Sequence, residues 1–196
     1  MTPRDRAYAL FPWVAAAVLI AGVVHLVSVL LIPHVAPRDA YRRLLERAKS
    51  GPTASGAMLL PRAVPGVQAL TREDPAMVAG ACVFDLSKGL FHVRASVGDD
   101  EFLGLSFHAA TGPIFHAVTD RGANKGKIDI VVGDARQIED LAEADEDDAT
   151  PQETRVTAPG PKGFVMIRAL AKRPSDAERA TQAVMAVRCE TMPAEE

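Results

Sequence analysis

Two cysteines in 196 residues exclude a disulfide-dense small scaffold and leave little room for a structural zinc site. Neither cysteine has a partner three positions away, so no Cys-x-x-Cys redox pair is present. Charge of one sign is also scarce. The chain carries 22 basic and 25 acidic residues, a net charge of −3, which excludes a strongly basic nucleic-acid binder. Several catalytic signatures are missing: no Walker A loop, no dinucleotide fingerprint, no Gly-x-Ser-x-Gly and no His-Glu-x-x-His. No repeat of solenoid length occurs. The composition is otherwise ordinary for a globular domain, with 48% hydrophobic and 24% charged residues.

The strongest feature present is an apolar run. No Asp, Glu, Lys or Arg lies between Arg6 and His34, and the 23 residues Leu10–Ile32 form its core. As a helix this core would be about 34 Å long, enough for a bilayer with some tilt. Tyr8 and Trp13 are placed for the interface, Pro12 for a first turn, and Pro33 to end the helix. A soluble helix of this length is seldom apolar all round. A cleaved signal peptide is the closer rival. However, the run exceeds the usual ~7–15 residues, and Pro33-His34-Val35-Ala36-Pro37 lacks a small-x-small cleavage site. The reading is an uncleaved single-pass anchor in the lipid bilayer. His25 and Ser28 inside it are read as packing residues.

Charge divides the chain. Residues 1–50 carry a net +4 and residues 51–196 a net −7. Much of the positive charge follows the anchor, at Arg38, Arg42, Arg43, Arg47 and Lys49. Here Tyr41, Leu44, Leu45 and Ala48 recur at helical spacing, so the stretch reads as an amphipathic helix able to lie on anionic headgroups. Charge counting alone leaves the orientation open. The expected organisation is an anchor at 1–33, a juxtamembrane helix and Pro/Gly-rich connector at 34–70, and a soluble domain at 71–196.

That domain reads as mainly β. Short β-favouring runs occur at Ala81–Leu86, Leu90–Ala95, Phe102–His108, Pro113–Val118, Ile128–Val132, Thr154–Thr157 and Gly163–Ala169. Turn residues such as Ser87-Lys88-Gly89 and Thr111-Gly112-Pro113 separate several of them. Together they predict an antiparallel β-sandwich or barrel-like domain. Two short helices are expected, Ala135–Ala144 and Asp176 to about Arg188, the second with a Ser175/Glu178 capping box.

Cys82 in the first run and Cys189 after the last helix could staple the domain in an oxidising compartment; in a reducing one they would be buried thiols. Four histidines lie outside the apolar run: His34, His92, His108 and His116. His108 and His116 flank a hairpin turn, and no third ligand has metal-site spacing, so no metal or other cofactor is assigned. His108, His116, Asp120 and Arg121 are weak ligand-site candidates. The acidic run Glu139–Asp148 lacks an EF-hand pattern and reads as a solvated loop.

Asp74-Pro75-Ala76-Met77 followed by Cys82-Val83-Phe84-Asp85-Leu86-Ser87 resembles the short, membrane-anchored bacterial members of the family called domain of unknown function 1254. The resemblance continues through Gly112, Phe115-His116, Thr119-Asp120-Arg121 and Asp129-Ile130-Val131-Val132-Gly133, and a late cysteine such as Cys189 fits it. It covers residues 74–133. Leu90, His116 and Thr119 depart from the proline, tyrosine and asparagine usual there. The resemblance implies a β-sandwich-like domain outside the bacterial inner membrane, with the N-terminus inside and the domain periplasmic. It also implies association with a small membrane protein of the sister family, domain of unknown function 1214. It supplies no catalytic residues. The leading expectation is therefore a non-catalytic binding or interaction module of the cell envelope. The alternative is a membrane-tethered enzyme acting on an envelope or lipidic substrate, with His108 and His116 as acid–base groups beside Asp120.

Overall fold

The computed structural model describes residues 3–35, 40–50, 56–62, 74–98, 101–144 and 153–193. The chain divides into two compact units, Met1–Pro37 and Arg38–Glu196. The first is a single helix, α1 (Pro3–Val35). Its segment Leu10–Ile32 is long and apolar enough to cross a membrane, and none of it is buried within the protein. The prolines act differently from expectation. The helix starts at Pro3, where a missing N–H costs nothing, so Pro12 lies inside the helix and not in its first turn. It also continues two residues past Pro33. In the last turn that proline removes one backbone bond but leaves no ladder beyond it to break.

The second unit opens with α2 (Ala40–Ser50) and a two-residue strand β1 (Met58–Leu59). Seven strands follow: β2 (Met77–Asp85), β3 (Leu90–Ser96), β4 (Leu103–Ala109), β5 (Ile114–Thr119), β6 (Lys127–Gly133), β7 (Thr154–Thr157) and β8 (Lys162–Leu170). Helix α3 (Ala135–Ala144) stands between β6 and β7. Helix α4 (Ala177–Ala186) and strand β9 (Arg188–Met192) close the fold. The unit is mainly β, as the runs of alternating residues predict. One sheet has the order β1-β2-β8-β4-β5, the other β7-β6-β3-β9. All pairings are antiparallel except β6 with β7.

The two sheets share one core. Val78, Cys82 and Phe84 of β2, Leu103, Leu105 and Phe107 of β4, and Val165 and Ile167 of β8 come from the first sheet. Phe91 and Val93 of β3, Ile128, Ile130 and Val132 of β6, and Cys189 of β9 come from the second. Each set follows the two-residue period of a strand, which sends alternate side chains to one face. Cys82 and Cys189 are disulfide-bonded with Cα atoms 6.4 Å apart, so the bond joins the two sheets.

Strand β8 carries five consecutive buried residues, Gly163 to Ile167. Val165 and Ile167 enter the shared core, while Phe164 and Met166 join a second cluster with Leu44, Met58, Leu60 and Ala81. A strand covered on both faces reads as an unbroken apolar run. Gly163 shows how tight the first sheet is: a Cβ there would lie 2.3 Å from the His108 carbonyl oxygen and 2.4 Å from the Phe84 ring.

The second cluster corrects the expectation for the amphipathic helix. Leu44 is buried, and Ala40, Tyr41 and Ala48 pack on the sheet around it. The apolar face of α2 is thus covered by β1, β2 and β8, and is not available to headgroups. Tyr41 pays a small electrostatic consequence: burial, then the neighbouring Asp85 carboxylate, raises its phenol pKa above 10.0.

Three local expectations also change. The last helix ends at Ala186, and the residues after it form β9, which pairs with β3. The Ser175/Glu178 capping box does not form. Instead Asp176 Oδ2 accepts the Arg173 backbone N–H at 3.1 Å, in a 3₁₀ turn Pro174–Asp176 that precedes α4. Strand β1 lies within the segment read as an irregular connector. The acidic stretch Asp145–Asp148 and the turn residues Asp99 and Asp100 lie outside the described residues.

Candidate functional site

The hairpin β4–β5 carries both histidine candidates, but on opposite faces. His108 registers with Phe164, which belongs to the outer cluster under α2. His116 registers with Phe107 of the shared core. The ring of His108 stacks on Phe164 at 4.7 Å and 8°. Its Nδ1–H donates to the Gly112 carbonyl at 2.9 Å, and its Nε2 accepts from the Ser106 hydroxyl at 3.0 Å. The Nδ1 bond therefore braces the turn of the hairpin, while the Nε2 bond stays within β4. That is a structural use, and acid–base work would require one of these bonds to break.

His116 sits against the Phe107 ring, with centroids 5.6 Å apart. Burial lowers its pKa from 6.5, because the imidazolium loses more by desolvation than the neutral ring. The sign of the consequence follows. The unfolded chain takes up a proton near pH 6.5 and the folded chain only at lower pH. Above 6.5 the contribution is fully present; as pH falls through 6.5 towards the lowered value, stability is lost. His116→Phe is expected to flatten this acid-side slope, measured as urea unfolding of variant and parent from neutral to mildly acid pH. Equal slopes in the two proteins would contradict it.

Asp120 and Arg121 go elsewhere. They form a 3₁₀ turn, Asp120–Gly122, directly after β5. Together with Glu101, Phe102 and Thr119 they meet the end of β8 and the start of α4. A cleft of about 670 Å³ opens there, lined also by Ala169, Leu170, Lys172, Arg173, Asp176, Arg179, Ala180 and Ala183. Its volume is that of a small-ligand site. Ala169 and Ala180 are buried in the wall, beside half-buried Leu170 and Ala183. Around them stand four cationic side chains, Arg121, Lys172, Arg173 and Arg179, against the carboxylates of Glu101, Asp120 and Asp176. Asp176 is already engaged, accepting from the Arg173 backbone and lying 3.8 Å from its Nε. The cleft thus carries an excess of positive charge on a domain whose residues 51–196 total −7. Such a site suits an anionic group held against an apolar wall. Neither histidine lines it.

Sequence reasoning named Asp120 and Arg121 but missed Lys172, Arg173 and Arg179. These come from separate segments, and no spacing rule joins them. Only the run Lys172-Arg173, placed between an apolar strand and a helix, is a local hint.

A second polar cluster lies on the outer face of the other sheet. His92 Nε2 bonds Asp129, and Arg94 Nη2 donates to Glu190 Oε2 at 2.5 Å. These pairs cross from β3 to β6 and β9 and read as cross-strand support. Among the described residues, no group of three His, Cys, Asp or Glu side chains could hold a metal ion.

No protein-family model matches the chain, and no curated protein matches it in sequence. Two crystal structures are similar to it in fold. One is the VPA0106 protein from Vibrio parahaemolyticus, at 12% identity and a TM-score of 0.47 over 63% of this chain. The other is a putative uncharacterized protein from Burkholderia cenocepacia, at 12% identity and a TM-score of 0.43 over 69% of this chain. The match takes in 32% and 35% of those chains, so this chain spans about a third of the length of each.

Proposed function

We propose that this chain is a single-pass bacterial inner-membrane protein whose β domain lies in the periplasm and works as a binding module. The Cys82–Cys189 bond supports the compartment, since disulfides persist where thiols are oxidised. The cleft carries the functional part of the reading. Four cations and three carboxylates line it beside an apolar wall, without a histidine or an assembled nucleophile and base. The proposed occupant is an acidic segment of a small membrane protein resembling the sister family, domain of unknown function 1214. Membership of this chain in the family called domain of unknown function 1254 is part of the same proposal. The tethered-enzyme alternative is less favoured, because its two histidines occupy opposite faces of one sheet.

Crosslinking in intact cells, followed by purification from membranes and mass spectrometry, tests the module. A small membrane protein is expected at near-equal amounts, and Arg121→Glu with Arg179→Glu should reduce its recovery about tenfold, the scale of losing one close charge pair. Undiminished recovery with both substitutions, or after removal of residues 70–196, contradicts the reading.

A further inference from the structure

Docking of α2 on the sheet fixes which way its other face points. At about 100° per residue, Tyr41, Leu44, Leu45 and Ala48 occupy one side of the helix, and Arg42, Arg43, Glu46 and Arg47 the opposite side, with Lys49 at the border between them. The apolar side is held by Met58, Leu60, Ala81, Phe164 and Met166. The five charged residues are all exposed, four of them cationic and only Glu46 acidic. The helix cannot roll without uncovering Leu44, so its charge is presented as a fixed surface.

Chain connectivity limits how far this surface can stray. Four residues separate Val35, the end of α1, from Ala40, the start of α2. At roughly 3.6 Å per residue such a link reaches no more than about 18 Å. If α1 crosses a bilayer, the start of α2 therefore stays within that length of the end of the anchor. The domain beyond is acidic and would be repelled from an anionic membrane, and the cations of α2 act against that repulsion.

We infer that the Arg42–Arg43–Arg47–Lys49 face of α2 binds anionic phospholipid headgroups next to the anchor, by charge alone and without inserting apolar side chains. This rests on the anchor reading of α1 but on neither the partner nor the cleft. It also gives the basic flank a role other than setting orientation, so that positive charge after the span is compatible with a periplasmic domain.

The test uses the full chain in lipid nanodiscs, of phosphatidylcholine alone or with phosphatidylglycerol added. Each lysine is acetylated with an uncharged reagent and followed by mass spectrometry, with exposed Lys127 on β6 as the internal reference. In phosphatidylglycerol discs, Lys49 is expected to react about threefold or more slowly relative to Lys127, as a headgroup-bound cation should. The protection should vanish in about 0.5 M salt, where the Debye length is roughly 4 Å. It should also vanish in Arg42→Gln/Arg43→Gln/Arg47→Gln with an unchanged unfolding midpoint. Equal Lys49 rates in the two disc types overturn the inference, as does protection that survives the triple substitution. A chain that fails to enter discs of either kind refutes the anchor reading, and this inference with it.

Discussion

Cys82→Ala with Cys189→Ala is expected to lower the unfolding free energy of the domain by about 3–5 kcal/mol. The bonded residues are 107 apart in sequence, so the crosslink removes a large share of the freedom of the denatured chain. In the folded state it adds a covalent tie between two sheets already packed through Phe84, Val93 and Ile130. The double variant should therefore keep its native circular dichroism while melting about 10 °C or more below the parent. Denaturant unfolding of the full chain in detergent, with and without reductant, provides the check. A loss below about 1 kcal/mol would show that the ring hardly restrains the unfolded state.

Leu19→Arg with Val23→Arg is expected to remove the chain from the membrane. Both residues lie near the middle of Leu10–Ile32 and are one helical turn apart, on the same side of α1. Each arginine at a span's centre costs about 2.5–3.5 kcal/mol on insertion scales, so the pair reverses the gain from several leucines and valines. The parent should stay in the membrane pellet after an alkaline carbonate wash, at the mass of the full chain. The double variant should be lost from that pellet. A parent found shortened and soluble would point to a cleaved leader, and a variant still resistant to the wash would remove the basis for a span.

Much of the strand pattern could be read from residues alone, for a physical reason. Leu103-Gly104-Leu105-Ser106-Phe107 alternates cleanly because one face of β4 packs on the core and the other does not. Two strands, β1 and β9, escaped. Met58–Leu59 is held by pairing with β2 and by burial of Met58, neither of which marks the local sequence. Strand β9 was hidden because Val187 and the apolar positions of α4 form one run, although the chain beyond Ala186 pairs with β3. The apolar stripe of α2 was visible, but a stripe does not name its partner, and a sheet face satisfies it as well as a membrane does. The site behaved similarly. Proximity along a hairpin brought His108 and His116 together in sequence, and the odd spacing caused by the irregular register near Phe107 and His108 separated them in space. Asp120 and Arg121 reach a cleft whose remaining cations come from residues about fifty positions later.

Strand β8 lies between β2 and β4, yet it is made after both, with more than fifty residues intervening from the end of β4. A chain emerging from its N-terminus therefore holds two open strand edges until residues 162–170 arrive. Hairpin β4–β5 can form early, because its contacts are close in sequence, and the pairing of β3 with β6 needs no residue beyond Gly133. The central strand cannot. Until then the edges of β2 and β4 that face β8 wait unpaired, as templates for any passing strand. Vectorial synthesis thus makes the last fifth of the chain a deadline for folding, and truncation before residue 162 should yield aggregation instead of a smaller domain.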